Sequence, residues 1–321
     1  MKESTWIWLD GSLVKWSEAK VPFLTHALHY ATGVFEGIRC YNTSEGPAIF
    51  RLPEHASRMF ESAKIYLMKI PYSREEVTGA ITKTVAANGL DECYVRPLAY
   101  YGYGEMGLNP LPNRVSVGIA AWRWDSYLGE KAEREGVRCQ VSSWRRIHQA
   151  SMPPQAKSTS NYANAALAKI EALKAGYDEA IMLNMDGMVA EASAENIFRV
   201  KDGIVSTPPA SAGVLRGITR DTIIRLTTDL GGIEFRRVDI SREELYTSDE
   251  LFLTGTAAGV TPVREVDGRT IGSGAWPVTQ RLMEAYSNIV HGRDKQYSEW
   301  LTPVATKRIE TISSSARGTT V

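Results

Sequence analysis

Lys157, Tyr162 and Glu191 stand in two short stretches. One is Pro153-Pro154-Gln155-Ala156-Lys157-Ser158-Thr159-Ser160-Asn161-Tyr162, the other Ala190-Glu191-Ala192-Ser193-Ala194-Glu195-Asn196-Ile197-Phe198. A lysine amine condenses with an aldehyde. A carboxylate keeps a ring nitrogen protonated, so that the ring can accept electrons when a carbanion forms beside it. A phenol near the lysine can hydrogen-bond a ring oxygen. Together these are the needs of pyridoxal phosphate chemistry. Singly none is specific: a lysine in a polar loop is by default solvated, and a strand glutamate is by default exposed. The residues alone leave Glu191 and Glu195 as equal candidates for the ring nitrogen.

Other stretches offer anion seats. Gly217-Ile218-Thr219 precedes a helical segment, whose free N–H groups and dipole suit a phosphate, although Thr219 as an ordinary N-cap gives the same pattern. Thr254-Gly255-Thr256-Ala257-Ala258 follows a strand and supplies a hydroxyl and closely spaced N–H groups. In Tyr94-Val95-Arg96 strand alternation puts Tyr94 and Arg96 on one face. His26, His55, His148 and His291 form no Cys/Asp/His cluster, so no metal is expected.

Composition bounds the setting. The 321 residues are 43% hydrophobic, 23% charged and 9% aromatic, an ordinary soluble chain long enough for two cored domains. Lys plus Arg and Asp plus Glu both number 37, so no global field draws nucleic acid or an anionic membrane. No apolar run reaches bilayer length, and the polar start Met1-Lys2-Glu3-Ser4 has no signal-peptide core. Cys40, Cys93 and Cys139 lack metal spacing and read as reduced thiols of a cytoplasmic protein.

The elements that must position these residues can be read from pattern. Asp10-Gly11 marks a hairpin between Trp6–Leu9 and Ser12–Val14. Ala56, Met59, Phe60, Ala63 and Leu67 form a helical stripe over residues 52–68. Ser73-Arg74-Glu75-Glu76 is a capping box for a helix stopped near Gly89, and residues 94–101 and 115–122 are strand-like. The charged run Gly129–Gly136 reads as the interdomain connection. Beyond it the pattern predicts a strand over 137–144 and a helix capped by Ser160, reaching Gly176. A hairpin at Asn184–Gly187, a turn at Asp202-Gly203 and a helix from Thr219 to Gly231-Gly232 follow. A capping box at Ser241 and a last helix over 275–290 complete the series. Residues 304–321 are Ser/Thr/Arg-rich and aperiodic, an expected disordered tail.

Gln155-Ala156-Lys157, Tyr162, Glu191 with Glu195-Asn196-Ile197-Phe198, and Gly217-Ile218-Thr219-Arg220 occur in that order. They resemble the class IV (fold-type IV) pyridoxal phosphate aminotransferases, and among them the branched-chain amino acid aminotransferases, from about Trp6 to Pro303. The resemblance implies an α+β fold of the D-amino acid aminotransferase-like type. A small N-terminal α/β domain (1–128) would be joined through 129–136 to a larger cofactor-binding domain (137–303), with the cofactor at their interface. It implies that Lys157 carries the cofactor and shuttles the proton between substrate Cα and cofactor C4′. That role needs an amine able to be neutral, which burial beside a cationic cofactor supplies. By the same resemblance Tyr162 bonds the ring oxygen, Glu191 takes the ring nitrogen and Glu195 is structural support. Arg58, the second arginine of Arg51-Leu52-Pro53-Glu54-His55-Ala56-Ser57-Arg58, holds the phosphate with Ile218, Thr219 and Thr256.

The resemblance also implies a substrate site. Tyr94, with the backbone of Thr256-Ala257, would hold the α-carboxylate, and Arg96 the side-chain carboxylate of glutamate. Phe35, Arg39, Trp124 and Tyr127 would line the aliphatic pocket. Tyr30 and Leu108 would reach in from a neighbouring subunit, hence a homodimer at least. The loop Gly104-Glu105-Met106-Gly107-Leu108 departs slightly from the commonest family form, so its effect on side-chain preference stays open. The implied reaction is ping-pong transfer of the amino group from L-leucine, L-isoleucine or L-valine to 2-oxoglutarate. D-amino acid aminotransferases, (R)-amine transaminases and aminodeoxychorismate lyases share the lysine and glutamate. Here Tyr94-Val95-Arg96 with Phe35-Glu36-Gly37-Ile38-Arg39 favours the L-enzyme. A non-catalytic cofactor carrier is expected to lose Tyr94, Arg96 and Thr256, which are intact, and a cofactor-free lysine aldolase leaves the phosphate donors unexplained.

Overall fold

The computed structural model describes residues 3–124 and 129–305. Two β-sheets built mostly from successive halves of the chain form its frame. The first half contains β1 (Trp6–Leu9), β2 (Ser12–Lys15), α1 (His26–Tyr30), β3 (Gly33–Phe35), β4 (Ile38–Thr43) and β5 (Gly46–Phe50). These are followed by α2 (Leu52–Ile65), α3 (Arg74–Ala87), β6 (Cys93–Tyr101) and β7 (Val115–Trp122). The second half runs through α4 (Glu130–Glu135), β8 (Val137–Val141), α5 (Asn161–Lys174), β9 (Glu179–Leu183), β10 (Val189–Ala192) and β11 (Asn196–Lys201). Then come β12 (Ile204–Thr207), α6 (Ile218–Asp229), β13 (Glu234–Arg237), α7 (Arg242–Tyr246) and β14 (Glu250–Gly255). The last elements are β15 (Gly259–Val266), β16 (Arg269–Thr270), α8 (Pro277–Val290) and β17 (Leu301–Pro303).

The first sheet is antiparallel, in the order β17-β5-β4-β6-β7-β1-β2, with β3 added against β6. Alternation along β7, buried at every second residue, gives the sheet one face for α2 and α3. Val77, Ile81 and Val85 of α3 and Met59 of α2 pack there with Ile49, Val95 and Ile119. The capping box at Ser73 is formed, and the helix it opens stops at Ala87, just before Gly89.

The second sheet is mixed, in the order β10-β9-β8-β15-β14-β11-β12-β13, with parallel pairs β8/β9, β8/β15 and β12/β13. Its core contains Cys139, Ile181, Ile197, Leu253 and Val263. A further core joins the lobes: Tyr41 and Phe50 of the first sheet pack with Phe198, Phe252, Ile223, Leu282 and Tyr286 of the second. The Phe198 and Phe252 rings are stacked at 4.9 Å. Burying aromatic area across the junction fixes how the two sheets face one another.

Four details differ from the sequence reading. Residues 129–136 are not a bare connection: they carry α4, whose Ala132 enters the second core. Leu301–Pro303, expected with the second domain, cross back as β17 and pair with β5. Val304, expected in the tail, is buried in the first core, while 306–321 fall outside the described residues. Ser160 does not cap α5, because its backbone is already helical (φ −61°, ψ −39°) and its hydroxyl is engaged by Tyr66. Among the described residues no helix is long and apolar enough to cross a membrane.

Candidate active site

Lys157 lies in the loop between β8 and α5, and its backbone is stitched to the first lobe. Its N–H donates to Ser62 Oγ (3.0 Å) and its carbonyl accepts from Phe35 N (3.0 Å). Asn161 Nδ2 donates to Pro153 O (2.9 Å) and Ala156 O (3.0 Å), locking the turn that leads to it. Nζ donates to the Tyr162 hydroxyl at 2.7 Å and sits 5.0 Å from the centre of the Phe35 ring. Tyr162 is the second residue of α5, so helix geometry fixes the phenol opposite the amine.

Glu191 projects from β10 into the same cavity as Lys157, Tyr162 and Glu195. Its Oε1 meets Arg146 Nε at 2.8 Å, and its Oε2 accepts from Asn196 Nδ2 (3.0 Å) and Leu215 N (2.9 Å). Burial raises its pKa above the ordinary carboxylate value, and Arg146, the Leu215 N–H and Lys157 pull it back only in part. Glu195 is in a different state. Burial, then the negative charge of Glu179, push its pKa up well above the usual range, which favours the neutral acid. Geometry thus separates two carboxylates that the residues alone left equal.

At the start of α6, Gly217 is the N-cap, no side chain caps the helix, and its first N–H groups are open to an anion. Thr219 is therefore inside the helix and buried (3% exposed), which removes the reading of it as an N-cap. A Cβ on Gly217 would lie 2.0 Å from Asn196 Oδ1, so the approach of these segments requires glycine. Ile218 borders a cavity shared with Arg58. Arg58 donates through Nε to Glu36 Oε1 (2.7 Å), through Nη2 to Glu36 Oε2 (2.8 Å) and through Nη1 to the carbonyl of Arg216 (3.0 Å). His55 Nδ1–H donates to Glu36 Oε2 at 2.7 Å. Burial alone would raise the Glu36 pKa, but Arg58 and His55 hold it far below the ordinary carboxylate range. Thr256 and Ala257 lie in the half-buried turn joining β14 to β15, and the Gly255 before them abuts Ala194 and Glu195.

On β6, Tyr94 and Arg96 share a face, and Arg96 Nη2 donates to the Tyr94 hydroxyl at 3.3 Å. The Arg96 guanidinium lies 4.7 Å over the ring of Phe35, the ring that also faces Lys157. Its Nε is buried without a hydrogen-bond partner. Gly37 makes room for the Tyr94 phenol, since a Cβ there would be 1.9 Å from its oxygen. Trp124 packs 4.6 Å from the Tyr94 ring; Tyr127 lies outside the described residues. Arg39 is not brought to Lys157. It pairs with Glu92 (2.8 Å), covers Tyr41 and lines another cavity with Ala258 and Tyr286. Tyr30 and Leu108 stand at the surface, Leu108 78% exposed, where the Tyr30 hydroxyl donates to Met106 O.

Sequence reasoning missed Glu36, His55, Arg146 and Asn196 as parts of this site. Glu36 left one signal, a lone charge between the apolar ends of two strands. Arg146 left none, because only the return of β10 beneath its loop gives it a partner.

Among the described residues no group of three or more His, Cys, Asp or Glu side chains is placed to hold a metal. What the site offers instead is an amine held by a phenol, a buried carboxylate short of positive charge, and an uncapped helix start beside an arginine. These fit an aldehyde, a basic ring nitrogen and a phosphate, the three functional groups of pyridoxal phosphate.

The family model described as amino-transferase class IV matches residues 33–266. A branched-chain-amino-acid aminotransferase of Pseudomonas aeruginosa is 48% identical over 301 residues, covering 93% of this chain and 97% of that one. A branched-chain amino acid aminotransferase from Escherichia coli, in its crystal structure, superposes with a TM-score of 0.92 at 43% identity, covering 94% of this chain and 100% of its own. A branched-chain aminotransferase from the archaeon Thermoproteus uzoniensis, solved with norvaline, gives a TM-score of 0.90 at 47% identity, covering 94% and 100%. This chain belongs to the class IV aminotransferases and, within them, to the branched-chain-amino-acid aminotransferases.

Proposed function

We propose that this enzyme transfers the amino group of L-leucine, L-isoleucine or L-valine to 2-oxoglutarate, releasing the branched-chain 2-oxo acid and L-glutamate in two alternating half-reactions. The observation that carries the substrate reading is Arg96: a guanidinium with an unpartnered buried Nε, set over the Phe35 ring that also faces Lys157. An uncompensated cation in an otherwise aromatic site suits a ligand that is apolar in one half-reaction and carries a second carboxylate in the other.

Bound pyridoxal phosphate supplies an aldehyde that condenses with amines and a ring that accepts the electrons released at the substrate Cα. Lys157 would hold the cofactor and, once displaced by substrate, would take the proton from the substrate Cα. Tyr162, 2.7 Å from Nζ, orients that amine and would hydrogen-bond the ring oxygen. Glu191 would accept a hydrogen bond from the protonated ring nitrogen; Glu195, favoured as a neutral acid, backs the site without competing. Arg58 and the N–H groups of Ile218 and Thr219, with Thr256, would bind the phosphate. Tyr94 and the Thr256-Ala257 backbone take the α-carboxylate. Phe35 and Trp124 wall the side chain. Arg39 borders the adjoining cavity rather than this wall.

The subunit is read as one half of a homodimer. Phe23 (81% exposed), Leu28, Tyr103 and Leu108 form an uncovered apolar face around Tyr30, which a second copy would cover while extending Tyr30 and Leu108 into its partner's site. The three cysteines are free thiols, which suits a cytoplasmic setting. The two sheets are read as the two domains.

Mixing the holoenzyme with single amino acids tests the reading. L-Leucine, L-isoleucine and L-valine should each convert the cofactor's aldehyde-form absorbance to that of the amine form. If only D-alanine or an (R)-amine did so, the substrate class would be wrong. Arg96→Gln should raise KM for 2-oxoglutarate by about 10–100-fold, one charge-assisted contact, and leave the leucine half-reaction nearly intact. Lys157→Ala should abolish turnover and borohydride-fixable colour together.

A further inference from the structure

The cavity at the start of α6, about 630 Å³, holds more positive charge than the cup just described uses. Arg51 on its wall is committed: Nε pairs with Glu54 (2.8 Å) and Nη1 with Asp221 (2.7 Å). Arg58 is committed to Glu36. Arg216, Arg220 and Arg237 remain, opposed by Glu61 and by the second of the two carboxylates that flank Arg51, which leaves a net surplus of one positive charge once Glu36 is counted against Arg58. Arg216 and Arg237 are exposed and make no ion pair among the described residues. Arg220 is 7% exposed, yet its guanidinium bonds only the neutral Thr207 hydroxyl (3.3 Å) and Pro208 carbonyl (2.9 Å). Burial, then the nearby Arg237, push its pKa down to about 10, and Glu191 and Asp221 offset only part of that shift. The same cavity is bordered by Gly217 and Ile218, where the uncapped helix begins.

We propose that this cavity is a capture vestibule for phosphate monoester dianions, through which the cofactor's phosphate is drawn toward Arg58 and the start of α6. The inference rests on the cofactor reading above. A phosphate monoester carries nearly two negative charges near neutral pH, and a net positive lining attracts it. A recess whose lining is net positive speeds encounter without adding contacts in the bound state. Arg216 and Arg237 form the outer, solvent-facing part of that lining. Arg220 is the buried member behind them.

The experiment is the rate of pyridoxal phosphate uptake by full-length apoenzyme, followed by absorbance, for wild type and the double variant Arg216→Gln/Arg237→Gln. The double variant should take up cofactor about tenfold more slowly at low salt, within the range of electrostatic steering. Its rate should depend less steeply on ionic strength, with cofactor dissociation unchanged. Inorganic phosphate should slow uptake by the wild type more than by the variant. Equal uptake rates and equal salt slopes would overturn the proposal. So would faster dissociation with unaltered uptake, which would make these arginines static ligands instead. A wild-type chain that took up no cofactor would instead overturn the functional reading on which the vestibule rests.

Discussion

Two buried carboxylate–arginine pairs flank Lys157, and they are built to opposite ends. Glu36 receives a two-pronged Arg58 and, in addition, His55, so that its charge is compensated within the protein. Glu191 receives one Arg146 nitrogen, one amide and one backbone N–H, and burial wins over them. The first pair is complete within the protein and fixes the Arg58 guanidinium beside the Arg216 carbonyl at the start of α6. The second is compensated only in part, and under the proposed function a protonated ring nitrogen would complete it. Similar side chains are thus made into a fixed support or a receptor by the number of donors they are given.

The comparison can be broken most severely at the receptor. Glu191→Ala should lower kcat by about 10³-fold while leaving cofactor bound, because it removes charge stabilisation where electrons are delivered. A variant that merely lost cofactor would place Glu191 with the supports. Glu36→Gln should show the reverse split: a cofactor dissociation constant raised by about 10–100-fold with kcat of the loaded enzyme nearly kept. Were the loaded variant slow, the two pairs would not be functionally distinct.

Arg146→Met sharpens the contrast by removing what partial compensation Glu191 has. Its pKa should climb further, and the acid limb of the kcat profile should move to higher pH, with a loss of about tenfold for each unit of movement. The smallest effect concerns stability. In the apoenzyme Glu191 has a folded pKa above its unfolded value, so its stabilisation is full at pH below about 4.5 and is lost as pH rises through the folded pKa. Glu36 has the opposite sign: its contribution is present above the unfolded pKa and is lost only as pH falls far below it. Thermal melts should therefore show wild-type apoenzyme losing more stability than Glu191→Gln on raising the pH from about 4.5. Added pyridoxal phosphate should erase that difference.

Much of the frame was legible because it is local. The hairpin at Asp10-Gly11, the capping boxes at Ser73 and Ser241 and the turn at Asp202-Gly203 each rest on residues within four positions of one another. Lys157 and Tyr162 were legible for the same reason: five residues apart across a helix start, they must meet. The pair Tyr94 and Arg96 followed from strand alternation alone. Arg39 was placed at the aliphatic pocket by resemblance alone. Alternation fixes its face of the strand, but whether it reaches the substrate or Glu92 depends on where the second lobe sits. The charged run 129–136 gave no sign of α4 or of the one alanine that docks.

The sequence by itself determined the chemistry on offer: the lysine, its phenol, two carboxylates, and helix and strand periods that present them. Those depend on side-chain type and on spacings of a few residues, which local geometry enforces. Only the tertiary structure decided which carboxylate is compensated only in part, that Glu36 and His55 hold Arg58, and that Arg146 stands behind Glu191. Most of these partnerships join residues tens of positions apart, drawn together when the two sheets close around a shared aromatic core. Their pKa shifts come from burial, a property of the packed molecule that no single segment possesses.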